Sequence, residues 1–170
     1  MPTTPNTPLP PAARAISAAT ADAVTAARAE DVAAYEEATD RLAAADPEQV
    51  RVVLGVVVRA LLEDLHPDGV AGDDLLELIK SCVRTSFGWY PAVEVQVLIV
   101  VLTGSLGVHE PDDEPRKVTP LEVARHAPLF IAELLAAPGS PARTDEPRPL
   151  GAYFRDAFLE ISRAELNEMP

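Results

Sequence analysis

The residues with the clearest chemical potential lie in one short acidic segment, "HEPDDEPRK", at positions 109–117. Its side chains of metal-ligand type are His109, Glu110, Asp112, Asp113 and Glu114. Calcium and magnesium bind several oxygen ligands held in one rigid site, and Pro111 and Pro115 would stiffen this loop. Ligands crowded into one short loop seldom all converge, however. The segment is therefore predicted first as a solvated charge run and second as a metal site.

The other reactive side chains point to structural roles. Cys82 falls on the apolar face of its predicted helix, which is typical of an inert buried thiol. His66 and His126 are predicted at helix ends beside prolines, where imidazoles interact with the last carbonyls. The sequence contains no Gly-rich phosphate loop, His-Glu-x-x-His motif, nucleophile elbow or EF-hand spacing. No catalytic residue and no cofactor are predicted.

An aromatic cluster, "SFGWYP" at 86–91, lies between two apolar runs. Phe87 continues the apolar stripe of its helix and is expected in the core. Trp89 and Tyr90 fall in the connection, where they could seal the end of a helical bundle. They are also residue types enriched in binding hot spots, so they are candidate partner-binding residues.

A second aromatic stripe lies near the C-terminus. Its candidate partner-binding residues are Tyr153, Phe154, Phe158 and Ile161. Left exposed, this stripe would cause aggregation, so it must dock. Docking within the chain is the simpler expectation, and docking on a partner or a second copy is the alternative.

Composition excludes several function classes. The 170 residues include 27 acidic and 14 basic side chains, which gives a formal net charge of −13. Such a chain is expected to bind neither nucleic acid nor an anionic membrane surface. Neither a secretory signal nor a membrane-spanning run is visible, so we expect a soluble cytoplasmic protein. Arginine outnumbers lysine twelve to two, a bias typical of GC-rich bacterial genomes.

Capping signals predict where the central helices begin. Asp46 and Pro47 suit the N-cap and first position of a helix that ends at His66 and is mostly buried. Thr119 and Glu122 form a capping box for another helix.

Glycine and proline predict further helix boundaries. Gly88 is expected as a left-handed C-terminal cap, and Pro128 is expected to break or kink its helix. Residues 92–103 are ambiguous, since alternating valines favour a strand while Pro91 suits the first position of a helix. Helix is the prediction.

Together these signals predict an all-α protein, a compact helical bundle of about five to six helices. We expect a disordered leader (1–10), a long Ala-rich helix or two collinear ones (11–45), a helical core (46–137), a Pro-rich linker (138–149) and a tethered amphipathic helix (150–170). The function predicted is non-enzymatic, an adaptor, regulator, inhibitor or assembly component that binds a protein partner or itself. The alternative is a metal-dependent or enzymatic protein that uses the 109–114 loop.

Overall fold

The structure is a computed structural model that describes residues 9–108 and 117–169, and these residues form an all-α fold without strands. The helices are α1 (Pro11–Arg28), α2 (Val32–Ala44), α3 (Pro47–Leu65), α4 (Gly72–Phe87), α5 (Val95–Ser105), α6 (Pro120–Ala136) and α7 (Leu150–Asn167), with a 3₁₀ turn at Pro141–Arg143. The described residues thus contain seven α-helices rather than five to six. None of these helices has both the length and the apolar character needed to cross a membrane.

The Ala-rich N-terminal segment is a helical hairpin, so the prediction of one long helix or two collinear ones is wrong. Glu30 adopts a left-handed conformation with φ of 55° and turns the chain back. The amides of Glu30 and Asp31 donate to the carbonyls of Ala27 and Ala26, the bonding pattern of a Schellman motif. Asp31 then caps α2 by accepting a hydrogen bond from the amide of Ala34. Buried alanines let α1 and α2 pack closely.

Seven residues of α3 are buried, as expected for a mostly buried helix, and a second central helix of the described fold is α6. It packs against α1, α2, α3, α4 and α5, whereas α3 packs against α2, α5, α6 and α7. The predicted break at Pro128 does not occur, because α6 continues from Pro120 to Ala136 with Pro128 buried inside it. Proline removes one backbone hydrogen bond from a helix, but burial of α6 on five neighbours outweighs that cost.

The ambiguous segment is a helix, as predicted, but it begins at Val95 and not at Pro91. His126, in the middle of α6, fixes this start. Its Nε2 accepts a hydrogen bond from the amide of Glu94 at 3.0 Å, and its Nδ1 lies 2.7 Å from the carbonyl oxygen of Glu122. The imidazole is therefore a buried link between two helices and does not lie at a helix end.

Several predicted helix boundaries are confirmed. Asp46 accepts a hydrogen bond from the amide of Gln49, α3 ends at Leu65 with His66 as its C-cap, and α7 spans the predicted residues. The capping box of α6 forms, with Thr119 and Glu122 each accepting from the other's amide. Gly88 is different: its φ of −67° and ψ of −31° are right-handed, so the predicted left-handed cap is wrong.

Candidate interaction surface

The aromatic residues of the α4–α5 connection join a cluster with Tyr35 of α2. The ring of Tyr35 lies 5.2 Å from that of Trp89, edge to face, and 5.2 Å from that of Tyr90. The hydroxyl of Tyr35 donates to the carbonyl of Arg125 at 2.6 Å. Burial raises the pKa of Tyr35 well above 10.0, so this phenol stays a hydrogen-bond donor. Tyr90 is buried and Trp89 half-buried, an arrangement that closes the bundle where α4 turns into α5.

The C-terminal stripe packs within its own chain. Tyr153 and Phe154 are fully buried where α7 contacts α3 and α1, while Phe158 and Ile161 are half-buried against the same core. The segment before α7 also contacts the body, since Arg143 donates to the carbonyl of Ala136 at 2.9 Å. A partner could reach Tyr153 and Phe154 only if α7 left this position.

Helix α4 has two large apolar side chains exposed to solvent, one of them aromatic. Phe87 is 60% exposed and Leu76 is 50% exposed, so the expectation that Phe87 lies in the core is wrong. Only Cys82 and Ser86 of this helix are fully buried. The reason is that α4 packs mainly against α6 and α5, and within the described residues this packing leaves one edge of its broad apolar arc uncovered.

The neighbouring helix α5 has a similar exposed stripe. Val97, Leu98 and Leu102 point into the core. Val95 and Ile99, one helical turn apart, are 45% and 37% exposed. We call the exposed side chains of Leu76, Phe87, Val95 and Ile99 the α4–α5 surface.

The α4–α5 surface was not predicted, although the sequence contained a signal for it. Apolar residues in α4 include the adjacent pair Leu75 and Leu76, and adjacent positions point about 100° apart on a helix. Leu76 and Phe87, eleven positions apart, lie at nearly the same angle, at one edge of an arc wider than a single core-facing stripe. Which edge would be uncovered depends on the neighbouring helices.

The described histidine, cysteine and carboxylate side chains do not form a metal site. The predicted metal loop, His109, Glu110, Asp112, Asp113 and Glu114, lies outside the described residues. Within the described ranges, no group of three or more histidine, cysteine, aspartate or glutamate side chains could hold a metal ion. Cys82 is buried, and desolvation, followed by the nearby charge of Glu133, raises its pKa to about 12. A thiol with such a high pKa stays protonated at neutral pH, and a protonated thiol is a poor nucleophile.

A groove of about 280 Å³ between α3, α4 and α6 contains the remaining polar cluster. His66 Nδ1 lies 3.7 Å from Asp74 Oδ2, and that same oxygen accepts a hydrogen bond from the amide of Ala71. The hydroxyl of Ser81 donates to Glu133. These contacts connect the helices to one another, and no histidine-to-serine contact of the kind that activates a nucleophile is formed among them.

No protein-family model matches the chain, and comparisons with curated proteins and with solved structures find no match. Function therefore has to be inferred from the molecule's own surface. On that surface, four large apolar side chains of α4 and α5 are exposed to solvent.

Proposed function

We propose that the protein is a non-enzymatic interaction module that binds another protein through the α4–α5 surface. One observation supports this most directly: Phe87, a large aromatic residue in a folded helix, is 60% exposed, and Leu76 on the same side of that helix is 50% exposed. An isolated exposed apolar residue is ordinary, but several on two adjacent helices are typical of a binding surface. Aromatic residues at the centre of such surfaces supply much of the binding energy.

The α4–α5 surface is a better candidate than either aromatic group proposed from the sequence. Tyr90, Tyr153 and Phe154 are already buried against their own chain, so binding through them would require the fold to open. Phe87 and Leu76 are accessible without any rearrangement. Interfaces that need no rearrangement are the common case for pre-organised partners.

The partner expected for this surface is a different protein with an apolar patch. The charges of α4 near the surface are mixed, since Glu77 pairs with Arg84 at 3.0 Å and both Asp73 and Lys80 are exposed. The whole chain has a net charge of −13, so two copies of it repel each other and a partner that is not acidic is favoured.

The experiment is affinity capture with the tagged full chain, followed by quantitative mass spectrometry and reconstitution with the purified partner. The test variant is Leu76→Ser with Phe87→Ser. The matched control is Leu159→Ser, which replaces an apolar residue of α7 that is 54% exposed. Exposed substitutions of this kind change stability little, within about 0.5 kcal/mol each, so all proteins should remain folded.

We expect a stoichiometric partner that is lost by the double variant and retained by the Leu159→Ser control. Retention of every partner by the double variant would refute the proposal. Sedimentation of the purified chain tests self-association separately. A dimer dissociated by the same double variant would replace the different-protein partner with a second copy.

A further inference from the structure

A broad groove of about 740 Å³ lies between the second half of α1, the end of α6 and the segment that leads into α7. Its lining includes Val24, Arg28, Leu135, Arg143, Pro147 and Arg148. It shares no residue with the α4–α5 surface. Its size lies within the range of about 300–1,000 Å³ that is typical of small-molecule sites.

The charge of this groove is opposite to that of the whole chain. Acidic residues outnumber basic ones by 27 to 14, yet three arginines and no aspartate or glutamate line the groove. The three come from different elements: Arg28 ends α1, Arg143 ends the 3₁₀ turn, and Arg148 precedes α7. Asp64 and Asp156 already neutralise Arg148, so the positive charge available to a ligand is that of Arg28 and Arg143. These two arginines are expected to attract anions locally, because screening limits the reach of distant charges to about 8 Å.

The guanidinium groups of Arg28 and Arg143 have N–H donors that the described part of the fold does not use. Arg148 is engaged, since it pairs with Asp64 and Asp156. Arg143 donates through Nη1 to the carbonyl of Ala136, and an arginine has five N–H donors, so several remain. Arg28 forms neither an ion pair nor a side-chain hydrogen bond with any residue within 9–108 and 117–169.

We propose that this groove binds a small organic anion. A carboxylate or phosphate head would lie on Arg28 and Arg143, whose planar guanidinium groups suit both kinds of oxyanion. An apolar body would lie on the accessible apolar lining, which includes Ala136, Pro147 and Leu150, since Val24 and Leu135 are buried beneath it. Nucleic acid is a poor alternative, because no aromatic side chain lines the groove for base stacking and the net charge of the chain is strongly negative.

The test is calorimetric titration of the full chain with octanoate and with octyl phosphate. Octanol measures the contribution of the apolar body without charge, and inorganic phosphate measures the head group alone. We expect both octyl anions to bind more tightly than octanol and inorganic phosphate, and more weakly as salt rises. If only octanoate binds, the ligand has a carboxylate head group, and if only octyl phosphate binds, it has a phosphate head group.

The test variant is Arg28→Gln with Arg143→Gln, and the matched control is Arg14→Gln with Arg163→Gln. Both pairs change the net charge equally, and Arg14 and Arg163 are exposed residues that do not line the groove. The groove variant should lose affinity by about tenfold or more, as for a lost charge-assisted hydrogen bond, while the control stays within about twofold. Arg28→Gln alone removes no ion pair and no side-chain hydrogen bond within the described residues, so it remains informative if Arg143→Gln unfolds the protein.

Three results would overturn the proposal. The first is no binding of either octyl anion, and the second is equal binding of octanol. The third is an equal loss of affinity in the groove variant and its charge-matched control. If the first result is found and an oligoglutamate peptide binds instead, the groove would be assigned an acidic protein ligand.

Discussion

Arg148 and Tyr153 share one carboxylate oxygen of Asp64. The Nη1 of Arg148 and the hydroxyl of Tyr153 both donate to Asp64 Oδ2, each at 2.7 Å. The guanidinium of Arg148 also lies over the ring of Tyr153, 3.9 Å from its centroid. Because Asp64 is in the last turn of α3, this arrangement fastens both α7 and the segment before it to α3. It is one physical reason why the C-terminal helix docks within its own chain.

Removing the shared carboxylate should weaken the attachment of α7. We expect Asp64→Ala to lower the free energy of unfolding by about 1–3 kcal/mol, because two donors in a partly buried site lose their acceptor. Urea unfolding followed by circular dichroism measures this. The control is Glu160→Ala, which breaks an exposed ion pair with Arg59 between the same two helices and should cost about 0–1 kcal/mol. Equal losses would show that the shared carboxylate has no special role.

Truncation of Trp89 should lower the free energy of unfolding far more than truncation of Phe87, although the two residues are only two positions apart. Trp89→Ala removes a half-buried ring that packs on Tyr35 and should cost about 2–4 kcal/mol. Phe87→Ala removes an exposed ring and should change the free energy of unfolding by about 0.5 kcal/mol or less. Thermal or urea unfolding of the two variants measures this difference. A large loss of stability indicates that the ring seals the bundle, and a small loss indicates that the ring is free to bind a partner. A stable Trp89→Ala variant would contradict the sealing role.

Glycine in place of Glu30 should stabilise the turn between α1 and α2. Glu30 has a φ of 55°, a conformation that costs an ordinary residue roughly 1–2 kcal/mol and glycine almost nothing. We expect Glu30→Gly to raise the free energy of unfolding by up to about 1 kcal/mol, after the larger chain entropy of glycine is subtracted. Glu30→Ala is the control, since it keeps the strained conformation and should give no gain. A decrease for Glu30→Gly would contradict the role assigned to this turn.

The free energy of unfolding should decrease at alkaline pH. Desolvation and the charge of Glu133 raise the pKa of Cys82 from 9.0 to about 12, and desolvation with the hydrogen bond to Asp64 raises that of Tyr153 from 10.0 to about 12. The unfolded chain therefore releases these protons first and binds fewer of them than the folded chain. The stabilising contribution is complete below about pH 9 and is lost as pH rises towards 12.

Urea unfolding at about pH 8 and pH 10.5 measures this effect. The wild type should lose stability between the two values, and Cys82→Ala should lose less, because the contribution of the thiol is gone while those of Tyr35 and Tyr153 remain. The buried thiol should also react with thiol reagents only after unfolding. An unchanged pH dependence in Cys82→Ala would show that the thiol does not contribute.

Local chemistry in the sequence was enough to locate several helix ends. Asp46 and Thr119 cap α3 and α6 as predicted, because a cap bonds to amides only two or three residues away. The bounds of α7 were also predictable, since a Pro-rich stretch precedes an uninterrupted amphipathic pattern. Such signals need no information about distant parts of the chain.

Turns and helix breaks that depend on tertiary packing were predicted less well from the sequence. The turn at Glu30 contains no glycine or proline, so nothing local indicated that the N-terminal segment would fold back. Pro128 carries a strong local signal for a break, but its place in a helix packed on five others overrides that signal.

The sequence by itself determined that the protein is all-α, where its capped helices begin, and that its surface is acidic. Only the tertiary structure decided which apolar residues remain in contact with solvent. Phe87 and Tyr153 both lie on apolar stripes of amphipathic helices, yet one is exposed and the other buried. The physical reason is that a stripe specifies a face to be covered, whereas the number and position of the covering helices follow from packing of the whole chain.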